Sequence, residues 1–335
     1  MLLRTAVAVA SSCAVLVLSS RGFTTDLPGK GITVQPGHVV GVLEDLFQTE
    51  VVNIAMERLG YDVRPAIEMD VPVLHVAVAQ GDVDYVADHW DPLQQAFIEQ
   101  AGGPDKLTLV GDLLKGCAQG YLIDKKTYDT LQITNLEQLK DPKIAMIFDS
   151  EGTGKAQLNG CPPGWGCERV IEHHLDTYGL RDTVTHQQGQ FNVLKADVIA
   201  KIKAGKPILY YTYAPLWLNS VLVPGRDVEW LEVPFVSLPE GDQTVDTKNA
   251  EGKNVGFPIN TQRIMASPHF LESNPAAKRL FELASIPVED VNAQNWKIHE
   301  GENALSDIRR HAEEWVTAHQ AEVDRWIQEA INAAK

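Results

Sequence analysis

The segment Gly160-Cys161-Pro162-Pro163-Gly164-Trp165-Gly166-Cys167-Glu168 concentrates residue types that can build a binding site. Its two cysteines can close a small loop in an oxidising compartment, which the chain-entropy picture values at roughly 2–2.5 kcal/mol. Prolines and glycines give the loop an unusual path around one tryptophan. The helical run from Glu168 onward puts Gly166 and Cys167 near a helix N-terminus, where free backbone N–H groups attract an anion. One reading is therefore a rigid loop that presents an aromatic face beside an anion nest. The other is a structural disulfide around a buried tryptophan. A metal site is not expected, because the two cysteines lack partners at ligand spacing.

A second candidate is Asp88-His89-Trp90-Asp91-Pro92-Leu93-Gln94. Trp90 lies just past a short strand and before a proline, a position suited to a cleft, although a core tryptophan would read the same way. Gln94, one helical turn on, can donate from its amide. His89 could act as a base, but no nucleophile is evident beside it. A third candidate is Leu209-Tyr210-Tyr211-Thr212-Tyr213-Ala214-Pro215-Leu216-Trp217, with four aromatics in its last eight residues. Some of these must be packing, and spacing does not decide which ring faces a cleft.

Other motifs fail on inspection. Gly152-Thr153-Gly154-Lys155-Ala156 resembles a phosphate loop, but Asp149 and Ala156 stand where Gly and Ser or Thr are required. Asp149, Glu151, Thr153 and Gly154 echo a calcium loop, but Gly160 replaces the bidentate Glu at its twelfth position. Cys117 reads as a small buried hydrophobe rather than a nucleophile.

The elements that must carry these segments alternate between strand and helix. Strands are expected at Gly31–Val34, from Tyr61, at Tyr85–Ala87, Gly120–Ile123, Ile144–Phe148 and Ile208–Tyr211. Helices are expected at Leu43–Leu59, Pro72–Gln80, from Asn135 to before Pro142, at Arg169–Tyr178, Val193–Ala204, Pro275–Ala284 and Ser306–Ala334. Val236–Val255 reads as a long surface loop. The pattern predicts an α/β fold with mostly parallel sheets, in which loops at strand C-termini build the site.

The 335-residue chain is long enough for two lobes with well-developed cores. Its net charge of −16 makes nucleic acid and anionic membranes poor partners. Four cysteines are too few for a disulfide-built scaffold. Arg4, the apolar run Ala6–Leu18 and the polar Ser19-Ser20-Arg21-Gly22 read as a secretory signal peptide, set at residues 1–24, with cleavage near residues 20–25. An uncleaved anchor is the alternative. A lipoprotein at Cys13 fits less well, since Ala10-Ser11-Ser12 lacks the expected leucine.

Taken together, these segments resemble the periplasmic glycine betaine/proline betaine-binding proteins of osmoprotectant ABC transporters. Asp26-Leu27-Pro28-Gly29-Lys30-Gly31, Gly120-Tyr121-Leu122-Ile123-Asp124-Lys125-Lys126, Gly256-Phe257-Pro258 and Asn292-Ala293-Gln294-Asn295 carry the likeness, with Gly160–Glu168 the most specific part. The resemblance implies a type II periplasmic-binding-protein fold with a hinged cleft. Residues 25–118 and 256–335 would form lobe one and residues 119–255 lobe two. It implies an aromatic cage of Trp90, Trp165 and Tyr213, with Tyr213 where the family pattern has a third tryptophan. The ligand's carboxylate would rest on the backbone N–H groups of Gly166 and Cys167, with Gln94 in the place of a histidine. Cys161 and Cys167 would be disulfide-bonded.

A quaternary ammonium has no N–H and spreads its charge over methyl groups, so aromatic faces suit it, each worth roughly 0.5–2 kcal/mol. The expectation is a monomeric, periplasmic solute-binding protein without cofactor or catalysis, which delivers glycine betaine or proline betaine to a membrane permease. The rivals are another methylated amine (choline, carnitine or trimethylamine N-oxide) and, in a different class, a secreted hydrolase using Cys117 or His89.

Overall fold

The computed structural model describes residues 27–239 and 245–335. The signal peptide expected at residues 1–24 lies outside them. No helix among the described residues is long and apolar enough to cross a membrane.

Two five-stranded sheets form the centres of two lobes. We number their strands β1 (Pro36–Val39), β2 (Ile67–Met69), β3 (Tyr85–Asp91), β4 (Thr108–Cys117), β5 (Gln119–Asp124), β6 (Ala156–Asn159), β7 (Val184–Gln187), β8 (Leu209–Tyr213), β9 (Val228–Trp230) and β10 (Asn260–Ala266). Lobe one has the order β2-β1-β3-β10-β4, and lobe two β9-β5-β8-β6-β7. The chain passes from β4, ending at Cys117, directly into β5, beginning at Gln119, and returns to lobe one at β10.

The mostly parallel sheets expected from the alternation are in fact mixed. In lobe one, β10 runs antiparallel to both β3 and β4. In lobe two, β5 runs antiparallel to both β8 and β9. The antiparallel strands are those next to the crossings between lobes, where the chain arrives without a crossover helix to reverse it.

Three further expectations are corrected. Residues 144–148 are helical, not a strand: Pro142 occupies the first turn and the Asp141 carboxylate accepts from the Lys143 N–H at 2.9 Å, so the apolar run begins as a helix. The C-terminal helix is two helices, Leu305–Ala318 and Gln320–Ala333. His319 separates them; its ring bonds the Trp315 carbonyl at 3.0 Å and stacks on the Trp315 ring at 4.1 Å. The helix expected from Asn135 is a 3-10 turn, Leu136–Lys140, closed by an Asn135–Gln138 capping box.

Lobe one packs Phe47, Tyr85, Phe281 and Trp326 in its core, and the C-terminal helices close it from outside. Lobe two packs Tyr121, His174 and Tyr178 as touching rings, and Phe257, on the chain returning to lobe one, packs against Tyr121 and His174. In the described part of the loop expected at Val236–Val255, Leu238, Thr247, Asn249 and Val255 are buried, so the segment is held against lobe two despite lacking strands or helices.

Candidate ligand-binding cleft

The ends of β3 and β8 and the start of the helix Gly166–Thr177 converge on one cleft. Trp90, Gln94, Trp165, Gly166, Cys167 and Tyr213, the six ligand-binding residues expected from sequence, all line it. Alternation along β8 answers which tyrosine faces the space. Tyr211 and Tyr213 point into it, whereas Tyr210 is buried on the opposite face.

Trp90 and Tyr213 come from different lobes and meet edge to face, with ring centroids 5.3 Å apart and planes at 79°. Only 7% of Trp90 and 3% of Tyr213 is exposed, so these rings are both buried and cleft-lining. Behind them stands Phe191, which spacing gave no reason to single out. It stacks on Tyr213 at 5.4 Å and contacts Trp165 at 5.5 Å, holding the two rings of lobe two in a fixed relation.

The Trp165 loop is braced at several points. Cys161 and Cys167 are joined by a disulfide. The Gly164 N–H donates to Glu168 at 3.0 Å. The Cys161 N–H donates to His186 Nε2 at 3.2 Å, and His186 Nδ1 bonds Glu172 at 2.7 Å. A Cβ on Gly160 would lie 1.8 Å from the His186 ring, so only glycine permits this anchor. Trp165 is the N-cap of the helix, and Gly166 and Cys167 are its first residues. Their N–H groups therefore have no acceptor one turn earlier in the helix and remain available to an anion. A Cβ on Gly166 would sit 2.8 Å from the Leu93 side chain of lobe one, so glycine here also lets the lobes approach.

Two amides line the same space. The Gln94 side-chain oxygen accepts from the Trp90 N–H at 3.2 Å, leaving its nitrogen out of that bond. The Gln119 oxygen accepts from the Tyr211 hydroxyl at 2.5 Å, while its buried nitrogen has no partner. Two carboxylates missed by sequence reading, Asp45 and Asp88, also line the cleft and are buried. Burial, then the neighbouring Glu44 charge, pushes the Asp45 carboxyl up to about 7. Burial, then Asp45, holds Asp88 well above the usual carboxylate range.

The substrate binding domain of the ABC-type glycine betaine transport system is the family whose sequence profile matches residues 33–318. Over 333 residues the chain is 48% identical to the glycine betaine/proline betaine-binding periplasmic protein of Escherichia coli K12, spanning 99% of this chain and all of that protein. It is also 48% identical over 330 residues to the glycine betaine-binding periplasmic protein OusX of Dickeya dadantii, covering 98% of this chain and 99% of that one. The chain belongs to this family. It is a substrate-binding component of an ABC transport system, not an enzyme.

Solved structures agree on the fold. Lactococcal OpuAC, closed around glycine betaine, superposes with a TM-score of 0.66 at 20% identity, covering 88% of this chain and 99% of that one. An ABC-transporter choline-binding protein in complex with choline gives 0.68 at 19% identity, covering 90% and 96%. These establish the type II periplasmic-binding-protein architecture for the two lobes.

The hydrolase rival loses its candidates. Cys117 is buried, its thiol lies 3.7 Å from the Leu114 carbonyl, and burial pushes its pKa far up. His89 bonds His75 at 3.1 Å, and burial, with His75 and Arg263, drives it well below the ordinary histidine range. Neither bonds the other. Among the described residues no group of three or more His, Cys, Asp or Glu side chains is placed to hold a metal ion.

Proposed function

We propose that this family member captures glycine betaine or proline betaine between its lobes and delivers it to the membrane permease of an ABC transporter. The carrying observation is that Trp90 of lobe one meets Tyr213 of lobe two at 5.3 Å beside a helix N-terminus. The quaternary ammonium sits against Trp90, Trp165 and Tyr213. The carboxylate takes the N–H groups of Gly166 and Cys167 and an amide N–H from Gln94, with the unpartnered Gln119 nitrogen as a further donor. The 48% identical relatives support this reading: both are named for glycine betaine, and the Escherichia coli protein for proline betaine as well.

The lobes divide at residues 118/119 and 255/256, and closure about these crossings seals the ligand from water. Residues 1–24 direct export and are removed, and the mature monomer works in the periplasm. Calorimetry of the mature protein with glycine betaine, proline betaine, choline, carnitine and trimethylamine N-oxide tests the assignment. Tightest binding of a betaine is expected, and no binding by any of the five ends it. Choline is a specific second reading, because Asp45 and Asp88 put buried carboxyl groups beside the cage; choline outcompeting both betaines would establish it.

A further inference from the structure

We propose that the Asp45–Asp88 carboxyl pair is a specificity-determining part of the cage, which holds a proton while the cleft is empty and releases it to solvent when a quaternary ammonium enters. The inference rests on the ligand reading above and adds to it the group that recognises positive charge as such.

Both side chains line the cleft beside Trp90 and Tyr213. Asp45 accepts weak hydrogen bonds from Gln262 at 3.3 Å and Gln48 at 3.5 Å, and a further one from the Trp90 indole. It therefore holds the ring that would face the ligand, and a negative acceptor on the indole N–H enriches that ring's face for a cation. Asp88 interacts with the backbone N–H groups of Val39 and of its own residue, but neither of its oxygens has a side-chain hydrogen bond, and the basic atom beside it, His38 Nδ1, is 3.7 Å away.

The charges facing the pair do not neutralise it. His38, on β1, is held neutral near pH 7, since burial lowers its pKa to about 4. His75 and His89, around a small cavity on the other side of Asp88, are likewise driven down by burial. Glu44 adds a like charge but is paired with Lys195. Arg263, on β10, is engaged with Asp91 at 3.2 Å. Tyr213 and Cys117 are buried and have their pKa values raised. Gln48 and Gln262 are neutral. Two adjacent buried carboxyl groups without a cation cannot both ionise cheaply, so the empty site retains a proton.

A trimethylammonium brings the missing positive charge without any N–H. Its arrival favours the ionised pair, and the displaced proton goes to buffer. The carbon isostere 3,3-dimethylbutanoate has the same shape and carboxylate but no positive charge, so it gains nothing from the pair. The expected signatures are proton release on binding, affinity that rises with pH through neutrality and then levels, and strong preference for nitrogen over carbon at the head.

Calorimetry of the mature wild-type protein with glycine betaine at pH 7, in phosphate and in Tris, reads the released protons without any variant. Between about 0.3 and 1 proton per ligand is expected. Asp45→Asn and Asp88→Asn should each cut that release and narrow the preference for betaine over 3,3-dimethylbutanoate by roughly tenfold or more. Normal betaine affinity with the same enthalpy in both buffers overturns the proposal, as does undiminished release in both variants. Failure of the wild type to bind any betaine would instead sink the ligand reading itself.

Discussion

Lys195 of lobe two pairs with Glu44 of lobe one, and their side chains are only 3% and 4% exposed. The same Glu44 oxygen accepts from the Trp217 indole N–H at 2.9 Å. The lysine ammonium also lies 5.2 Å from the Phe191 ring centroid and 4.9 Å from that of Trp217. A second contact across the lobes sets the Arg169 guanidinium 5.7 Å from the Phe97 ring. The lobes are thus joined by charge as well as by the cage. Phe191 links the two, since one ring packs on Tyr213 and also faces Lys195.

Opening the lobes would return Glu44 and Lys195 to water, so the pair acts on closure. A buried pair can be close to neutral overall, but removing one member strands the other at a cost of about 3–5 kcal/mol. Part of that cost is avoided by opening. Lys195→Met should therefore weaken ligand binding by roughly 10- to 100-fold, with X-ray scattering showing a more open protein. The double variant Glu44→Gln/Lys195→Met should recover most of the affinity. A single variant that binds as tightly as wild type would mean the pair plays no part in closure.

The cage should separate from the core by the property each change affects. Trp90→Ala and Trp165→Ala each remove a cleft-lining face and should weaken betaine binding by roughly 10-fold or more, measured by calorimetry. Trp326 is fully buried in lobe one, away from the cleft. Trp326→Ala should cost about 3–5 kcal/mol of stability and leave the affinity of the folded fraction near wild type. Equal losses of affinity in all three would show that the cage is elsewhere.

Much of this site was legible because its chemistry is local. The Gly160–Glu168 segment holds its cysteines, tryptophan and helix start within nine residues, and the structure keeps them together. Gln94 and Trp90 are likewise joined by a bond within one turn. What was missed arises between distant segments. Asp45 sits in a short 3-10 turn, Leu43–Asp45, that resembled the first turn of an ordinary helix. Its approach to Gln262 depends on β10, which meets β3 only after the chain has crossed both lobes. Phe191 opens a helix with no flanking motif, and its role depends on rings from two other elements. The mixed strand directions had the same origin: alternation reports element type, but direction follows from where the chain re-enters a sheet.

Tyr213 offers a test that separates ring from hydroxyl. Its hydroxyl is buried without a hydrogen-bond partner, an arrangement that costs about 1–3 kcal/mol. If the ligand uses only the ring face, Tyr213→Phe should be at least as stable as wild type and bind within about threefold of it. Thermal unfolding and calorimetry check both. A loss above roughly tenfold would instead assign the hydroxyl a direct contact with ligand.

His174 should make lobe two sensitive to acid. Its Nε2 donates to the Ser237 carbonyl at 2.9 Å, which leaves Nδ1 to accept from the Tyr121 hydroxyl at 2.8 Å. Burial, then the nearby His173, lowers its pKa to about 3. The folded protein therefore keeps the ring neutral, while the unfolded chain takes up a proton as pH falls below the ordinary value near 6.5. The stabilising contribution is complete above that pH and is lost progressively as pH falls towards the folded value. At pH 5 the loss is about 2 kcal/mol. His174→Gln should be less stable than wild type at pH 7.5, where the ring's bonds are intact. Between pH 7 and pH 5 the gap should shrink by about that amount, because the variant has no imidazole to titrate. The shifted carboxyls Asp45 and Asp88 act in the opposite direction but are present in both proteins, so they cancel in the difference. Urea unfolding at the two pH values measures it, and parallel pH profiles would show that His174 is not held neutral by the fold.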